Sequence, residues 1–339
     1  MKAKEILKKL IEFNTINDKE NKEILDFIQN LLEEKGFRLE YRSKCLVIST
    51  KEKCKLGFIG HTDTVQYGGD WTYNPLELTE KNGKLYGLGT CDMKGGIAAI
   101  LKAVMDIDWS KFNYGIRLFF TYDEEIGFNG IKEINEQNIK IPENVIIGEP
   151  TNNEIMSGSK GLLELKFEFN GKSAHSSNPK AGKNAIEKCL VFLNQLRIFY
   201  NNLKLEIDNR FEIPYTTMNI GKIDGGKSIN IVPNYCETYI DFRIINNEHR
   251  VKILNEINRL KELYQFEYEV INDIKPFITE TKDCRTTNFI TEASFIESKY
   301  RYILGAGPIK AHEANEYITE ESLNKLVEQY KQLINKLCI

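Results

Sequence analysis

Apolar, strand-like runs in this chain end repeatedly on a histidine or a carboxylate, and that pattern restricts the fold more than any other feature. Leu56-Gly57-Phe58-Ile59 leads into Gly60-His61-Thr62-Asp63-Thr64-Val65. Ile116-Arg117-Leu118-Phe119-Phe120-Thr121-Tyr122 runs straight into Asp123-Glu124-Glu125, and Val145-Ile146-Ile147 into Gly148-Glu149-Pro150-Thr151. Two further islands, Gly87-Leu88-Gly89-Thr90-Cys91-Asp92-Met93-Lys94-Gly95-Gly96 and Ala311-His312-Glu313, set the same chemistry beside glycine turns or loops. An α/β fold presents ligands in this way, at strand ends and on the loops that follow them.

Each island also has a plain reading. His61 could be hydrogen-bonded at a strand end. Asp92 could cap the helix that follows, and Asp123-Glu124-Glu125 could be a solvated acidic turn. Solvation gives no reason for acids to recur after buried-type strands, however. Three acids at the end of such a strand repel one another unless cations neutralise them. Two of the chain's four histidines, His61 and His312, lie in the islands; His175 and His249 do not. Imidazole and carboxylate without organised thiols suit zinc, cobalt, manganese or iron in a hydrolytic site. A dinuclear metal site is the expectation.

The 339 residues suffice for two domains. A formal net charge of -3 gives no reason to expect nucleic acid or an anionic membrane surface as partner. No apolar run approaches the ~20 residues of a membrane span. The N-terminus reads as an amphipathic helix rather than a signal peptide, and the expected compartment is the cytoplasm. Seven cysteines without a Cys-x-x-Cys pair argue against a thiolate zinc site and a disulfide framework.

Strands and helices alternate from the N-terminus to about Ser157, as in a layered α/β domain with a mostly parallel sheet. The pattern then changes to half-exposed alternation in Leu162–Asn170, followed by helix, two strands, helix and strand. That β-α-β-β-α-β order is the signature of a ferredoxin-like unit. The α/β pattern resumes near Lys275 with an expected helix over 286–298. The fold class read from this is α/β, with a discontinuous catalytic domain at 1–158 and 275–339 interrupted by an inserted ferredoxin-like domain at 159–274.

Together the islands resemble the dinuclear zinc aminoacylase and carboxypeptidase superfamily, in order and over nearly the whole chain. The stretches Gly60–Trp71, Leu78-Thr79-Glu80, Gly83–Thr90, Pro214–Gly221 and Thr291-Glu292-Ala293 are most similar to its acetylornithine deacetylases. The loop from Gly307 to His312 is shorter than that likeness implies. The resemblance implies two divalent ions, Zn2+ with Co2+ as a possible substitute. His61 and Glu149 would hold one, Glu125 and His312 the other, and Asp92 would bridge both across a cis Asp92–Met93 peptide. Asp63 would accept the second imidazole N–H of His61, and Glu124 would be the general base.

The same resemblance gives the inserted domain lid and dimer-forming roles, with His175 reaching a partner subunit's site to stabilise the oxyanion. Asn230 and Arg243 would bind substrate, the guanidinium gripping an α-carboxylate. Glu292, read as part of a helix, is the candidate for a substrate ammonium; complementarity to a helix dipole is the alternative. His249, in a polar stretch, is expected to be solvated. The implied reaction is hydrolysis of an N-acyl amino acid, N-acetylornithine first, which would serve arginine biosynthesis. A desuccinylase acting on succinyl-diaminopimelate, an N-acetyllysine or N-acetylcitrulline deacetylase, and a dipeptidase are the alternatives. A non-catalytic binding protein would be expected to lack Glu124 or a ligand. A phosphate-loop protein is disfavoured, because Gly221 and Gly226-Lys227-Ser228, though at that motif's spacing, stand between two expected strands rather than between a strand and a helix.

Overall fold

The computed structural model describes residues 1–16, 21–281 and 284–339. They form two compact units. One comprises Met1–Ser157 and Thr291–Ile339 with a short stretch from Thr279, the other Gly158–Ile278 and Cys284–Ile290. Helix α1 (Ala3–Glu12) buries Ala3, Ile6, Leu7, Leu10 and Ile11, one stripe at helical spacing. Glu5 closes its first turn by accepting the Lys2 backbone N–H at 2.7 Å. Helix α2 (Asn21–Glu33) buries Ile24, Leu25, Ile28 and Leu32 in the same way. The sequence predicts a break between these two helices over Asn14–Asp18, of which Asn17 and Asp18 lie outside the described residues.

The first unit continues through β1 (Arg38–Arg42), β2 (Leu46–Ser49), β3 (Cys54–His61), β4 (Thr79–Lys81), β5 (Lys84–Tyr86), α3 (Lys94–Met105), β6 (Gly115–Thr121), α4 (Asn129–Glu136) and β7 (Asn144–Ile147). The second unit follows with β8 (Gly158–Ser159), β9 (Gly161–Asn170), α5 (Ala185–Leu203), β10 (Thr217–Gly225), β11 (Tyr235–Ile244), α6 (Asn247–Tyr264), β12 (Glu267–Ile274) and β13 (Phe277–Ile278). The chain then returns to the first through β14 (Tyr300–Ile303), β15 (Tyr317–Thr319) and α7 (Glu320–Cys338).

The main sheet of the first unit runs β1-β2-β6-β3-β7-β14. Its strands β6, β3, β7 and β14 are mutually parallel, while β2 and β1 extend one edge in antiparallel fashion. Because β6, β3 and β7 are parallel neighbours, their carboxyl ends open at the same edge. Open α/β sheets bind ligands at that edge. Helices α1, α3 and α7 share one apolar core with β3. Helix α3 lies so close that a Cβ on Gly96 would come within 2.2 Å of the Gly148 carbonyl oxygen, a contact only glycine permits.

In the second unit the sheet order is β10-β11-β9-β12, antiparallel throughout. With two helices and this strand order it is ferredoxin-like. Strand β9 turns Leu163, Leu165, Phe167 and Phe169 into a core shared with α5 and α6. Phe192 of α5 stands 4.7 Å, ring centre to ring centre, from both Phe167 and Phe266.

Two sequence expectations require correction. The helix expected over 286–298 is a single 3-10 turn, Glu292–Ser294. Arg301 explains why: its guanidinium donates to the carbonyl oxygens of Ala293 (3.0 Å) and Ile296 (3.1 Å), which a helix would use for its own ladder. His249 is not solvated but 1% exposed, with Nδ1 2.8 Å from the Thr216 hydroxyl and Nε2 3.2 Å from Glu206. A small sheet of β15, β5 and β4 was not anticipated. No helix among the described residues is long and apolar enough to cross a membrane.

Candidate metal centre

Four of the five expected ligands and the expected base Glu124 gather at the carboxyl edge of the main sheet. His61 is the last residue of β3, Glu124 and Glu125 follow β6, Glu149 follows β7, and Asp92 precedes α3. His61 is fully buried, with Nδ1 3.0 Å from the backbone oxygen of Asp63 and 3.4 Å from its carboxylate. That contact leaves Nε2 facing Asp92 Oδ1 at 3.2 Å and Glu149 Oε1 at 3.4 Å. His312, on the loop after β14, turns Nε2 towards Glu125 Oε2 at 3.1 Å and Asp92 Oδ2 at 3.5 Å. Asp92 therefore offers one oxygen to each imidazole. It does not cap α3: the N-cap is Met93, and no side chain bonds there. The Asp92–Met93 peptide is cis.

Ligand atoms of His61, Asp92 and Glu125 lie within 4.8 Å of one another, as do those of His61, Glu124 and Glu149. Asp63 joins these groups from behind, its Oδ2 accepting the Glu125 backbone N–H at 3.2 Å. The adjacent glutamates, in the turn that follows β6, fall in different groups.

This much buried acid is electrostatically unfavourable by itself. Burial, and then the charge of Glu149, hold the Glu124 carboxyl well above the usual carboxylate range. Burial, and then Asp92, do the same to Glu149. Burial also raises Glu125. For His61, burial disfavours the cation, but the carboxylates of Glu149, Asp63 and Asp92 outweigh it and raise the imidazole well above its ordinary value. Glu125 Oε1 is buried without a hydrogen-bond partner. An orphaned oxygen, clustered carboxylates and two converging imidazoles form a donor set that suits divalent cations of the zinc type.

The remaining expected residues sit as follows. Glu292 is 1% exposed, both carboxylate oxygens lack a hydrogen-bond partner, and burial pushes its carboxyl up to about 7. In the second unit His175 is exposed, with Nδ1 2.8 Å from the Ser177 hydroxyl. Asn230 lies beside it, its backbone oxygen accepting the Ser176 N–H at 3.0 Å. Arg243 on β11 holds the Asp241 carboxylate at 3.0 Å. Cys91 is buried; its sulfur accepts the Lys310 N–H at 3.3 Å, and burial pushes the thiol far up, as for an inert packing residue.

The sequence profile of peptidase family M20/M25/M40 matches residues 57–336. The chain belongs to that family. It is an enzyme of this hydrolytic group. It is 33% identical to an acetylornithine deacetylase of Pasteurella multocida (strain Pm70), over 95% of this chain and 92% of the relative. It is 34% identical to an acetylornithine deacetylase of Proteus mirabilis (strain HI4320), again over 95% and 92%. Among solved structures, a tripeptidase of Staphylococcus aureus superposes with a TM-score of 0.80 at 21% identity, over 99% of this chain and 98% of that one. The structural likeness bears on the fold alone.

Membership in the family and the convergence of strand ends leave one buried carboxylate unaccounted for by sequence reasoning. Glu316 is 2% exposed, and its side chain accepts backbone N–H groups from the segment that carries Asp92. The only signal was positional: an acid shortly after His312 and directly before a short strand. That signal looks the same for a solvated glutamate.

Proposed function

We propose that the protein is a dinuclear metal-dependent deacylase of N-acyl amino acids, with N-acetylornithine as its substrate. The observation that carries the metal reading is the geometry of Asp92, whose two oxygens face different imidazoles at 3.2 and 3.5 Å. The acyl-amino-acid substrate is supported by the two curated relatives, both acetylornithine deacetylases. His61 and Glu149 would hold one ion, Glu125 and His312 the other, with Asp92 shared. When bound there, two Zn2+ or Co2+ ions would supply Lewis acidity to a water and to the acyl oxygen.

The rest falls to the chain's own residues. Glu124 takes a proton from the attacking water and delivers it to the departing amine, so the amide and water become a carboxylic acid and an amine. Its position in the His61 and Glu149 group, buried beside the proposed ligands, suits a base that acts on a water held there. Asp63 fixes which ring nitrogen of His61 faces the site. His175, supplied from the second unit of a partner copy, donates to the acyl oxygen, and Asn230 and Arg243 hold the substrate carboxylate. Glu292 meets the ornithine ammonium.

The test is hydrolysis by zinc-loaded and cobalt-loaded protein of N-acetylornithine, N-acetyllysine, N-acetylcitrulline, N-succinyl-diaminopimelate and a tripeptide. The highest kcat/KM is expected for N-acetylornithine. Preference for the succinyl substrate or for the tripeptide would replace the substrate assignment.

A further inference from the structure

Strand β15 pairs with β5 so that Tyr317 stands opposite Tyr86. The residue before β15, Glu316, is thereby set against the loop that leaves β5. The pairing continues by one bond, with the Gly87 N–H donating to the Glu316 backbone oxygen at 3.1 Å. The side chain then turns into the loop. Glu316 Oε2 accepts the Gly89 N–H at 2.9 Å, while Oε1 accepts the N–H groups of Cys91 at 2.6 Å and Asp92 at 3.0 Å.

One buried carboxylate thus collects three backbone donors from the four residues that end at Asp92. Gly89 sits at φ +79°, a left-handed conformation that favours glycine and lets this loop coil around the acceptor. A buried N–H without an acceptor is costly, so the loop cannot keep this path without Glu316 or a replacement. Glu316 also lies near the acids of the site. An extra carboxylate there works against packing and charge unless it holds something in place.

We infer that Glu316 is the positioning residue for the shared carboxylate. By fixing the peptide on which Asp92 is carried, it sets the angle at which Oδ1 and Oδ2 are presented to two cations. The inference rests on the dinuclear reading and assigns the control of its second ion to a residue that touches neither ion nor substrate. Supporting groups of this kind typically alter metal affinity by about 10–100-fold when replaced.

Glu316→Gln is nearly isosteric but must turn an amide N–H2 towards at least one of three backbone donors. Metal-free wild type and E316Q would be titrated with Zn2+ against a competing chelator, and kcat and KM measured on N-acetylornithine. Wild type should take two ions per chain. E316Q should bind its weaker ion about 10–100-fold less tightly, with kcat falling and KM nearly unchanged. A role confined to folding would lower the melting temperature and leave both affinities and kcat alone; that result overturns the inference. A wild type that takes a single ion overturns the dinuclear reading instead. If E316Q does not fold, E316D keeps the charge but is too short to reach all three donors. The same measurements on E316D then decide.

Discussion

Glu124 and Glu125 are neighbours in the chain yet fall in different candidate metal-holding groups of the site, and the proposed function gives them different roles, base and ligand. Glu125 pairs with His312 at 3.1 Å, while Glu124 groups with His61 and Glu149. Glu124→Gln should therefore lower kcat by at least ~10²-fold while metal content, read by atomic emission, stays at the wild-type level. Loss of an ion together with activity would make Glu124 a ligand instead. Glu292 carries a different kind of claim, because a buried carboxylate with two unpartnered oxygens has unused capacity for a cation. Glu292→Gln should cut kcat/KM for N-acetylornithine by roughly 10–100-fold, at ~1.4 kcal/mol per tenfold. An N-acetyl amino acid with a neutral side chain should be barely affected. Equal losses on both substrates would place Glu292 in support of the site rather than in contact with substrate. At this scale the sequence showed residues whose chemistry is conspicuous where they stand. An acid after a buried strand is conspicuous; Glu316, an acid whose partners are backbone N–H groups more than two hundred positions away, is not.

Elements were legible where their period was long enough to see. Helix α1 and strand β9 declare themselves by stripe and by alternation, and their burial follows the pattern residue by residue. The three-residue strands β4, β5 and β15 carry no period, and their pairing is decided by tertiary structure. The helix expected over 286–298 failed because Arg301, several residues downstream, takes its carbonyls. His249 misled in the same way: a polar neighbourhood in sequence is closed over in space by Thr216 and the first turn of α6, where Asn246 accepts the His249 N–H at 2.8 Å. That burial lowers the imidazole below its ordinary value, against the opposing pull of Glu206. A depressed histidine is bound neutral. It contributes stability that is fully present above the unfolded value of about 6.5 and is lost as pH falls through the lowered native value. The melting temperature should therefore drop less in His249→Gln than in wild type between about pH 7.5 and about pH 5. Equal drops would show that His249 does not contribute to the pH dependence.

At the scale of the whole molecule, the α/β class and the ferredoxin-like insertion were readable because the rhythm of strands changes after Ser157 and changes back. The convergence of His61, Glu125 and Glu149 on one edge follows from β6, β3 and β7 being parallel neighbours, an order that sequence does not state. The resulting cluster of buried acids should make metal-free protein markedly less stable than loaded protein. At a free ion concentration of about 1,000 times Kd, each ion that binds only the folded state adds ~4 kcal/mol. Chelation should lower the melting temperature, and re-addition of Zn2+ should restore it; an unchanged melting temperature would mean that the acids hold no ion.

Asp92 decides whether the site is dinuclear. Anomalous diffraction from crystals of the zinc-loaded protein, recorded on both sides of the zinc absorption edge, tests this most directly. The expected result is two peaks flanking Asp92, one on the side of His61 and Glu149 and one on the side of Glu125 and His312. Each should lie about 2.0–2.2 Å from an Asp92 oxygen. A single peak, or two peaks with Asp92 bound to only one of them, would contradict the account.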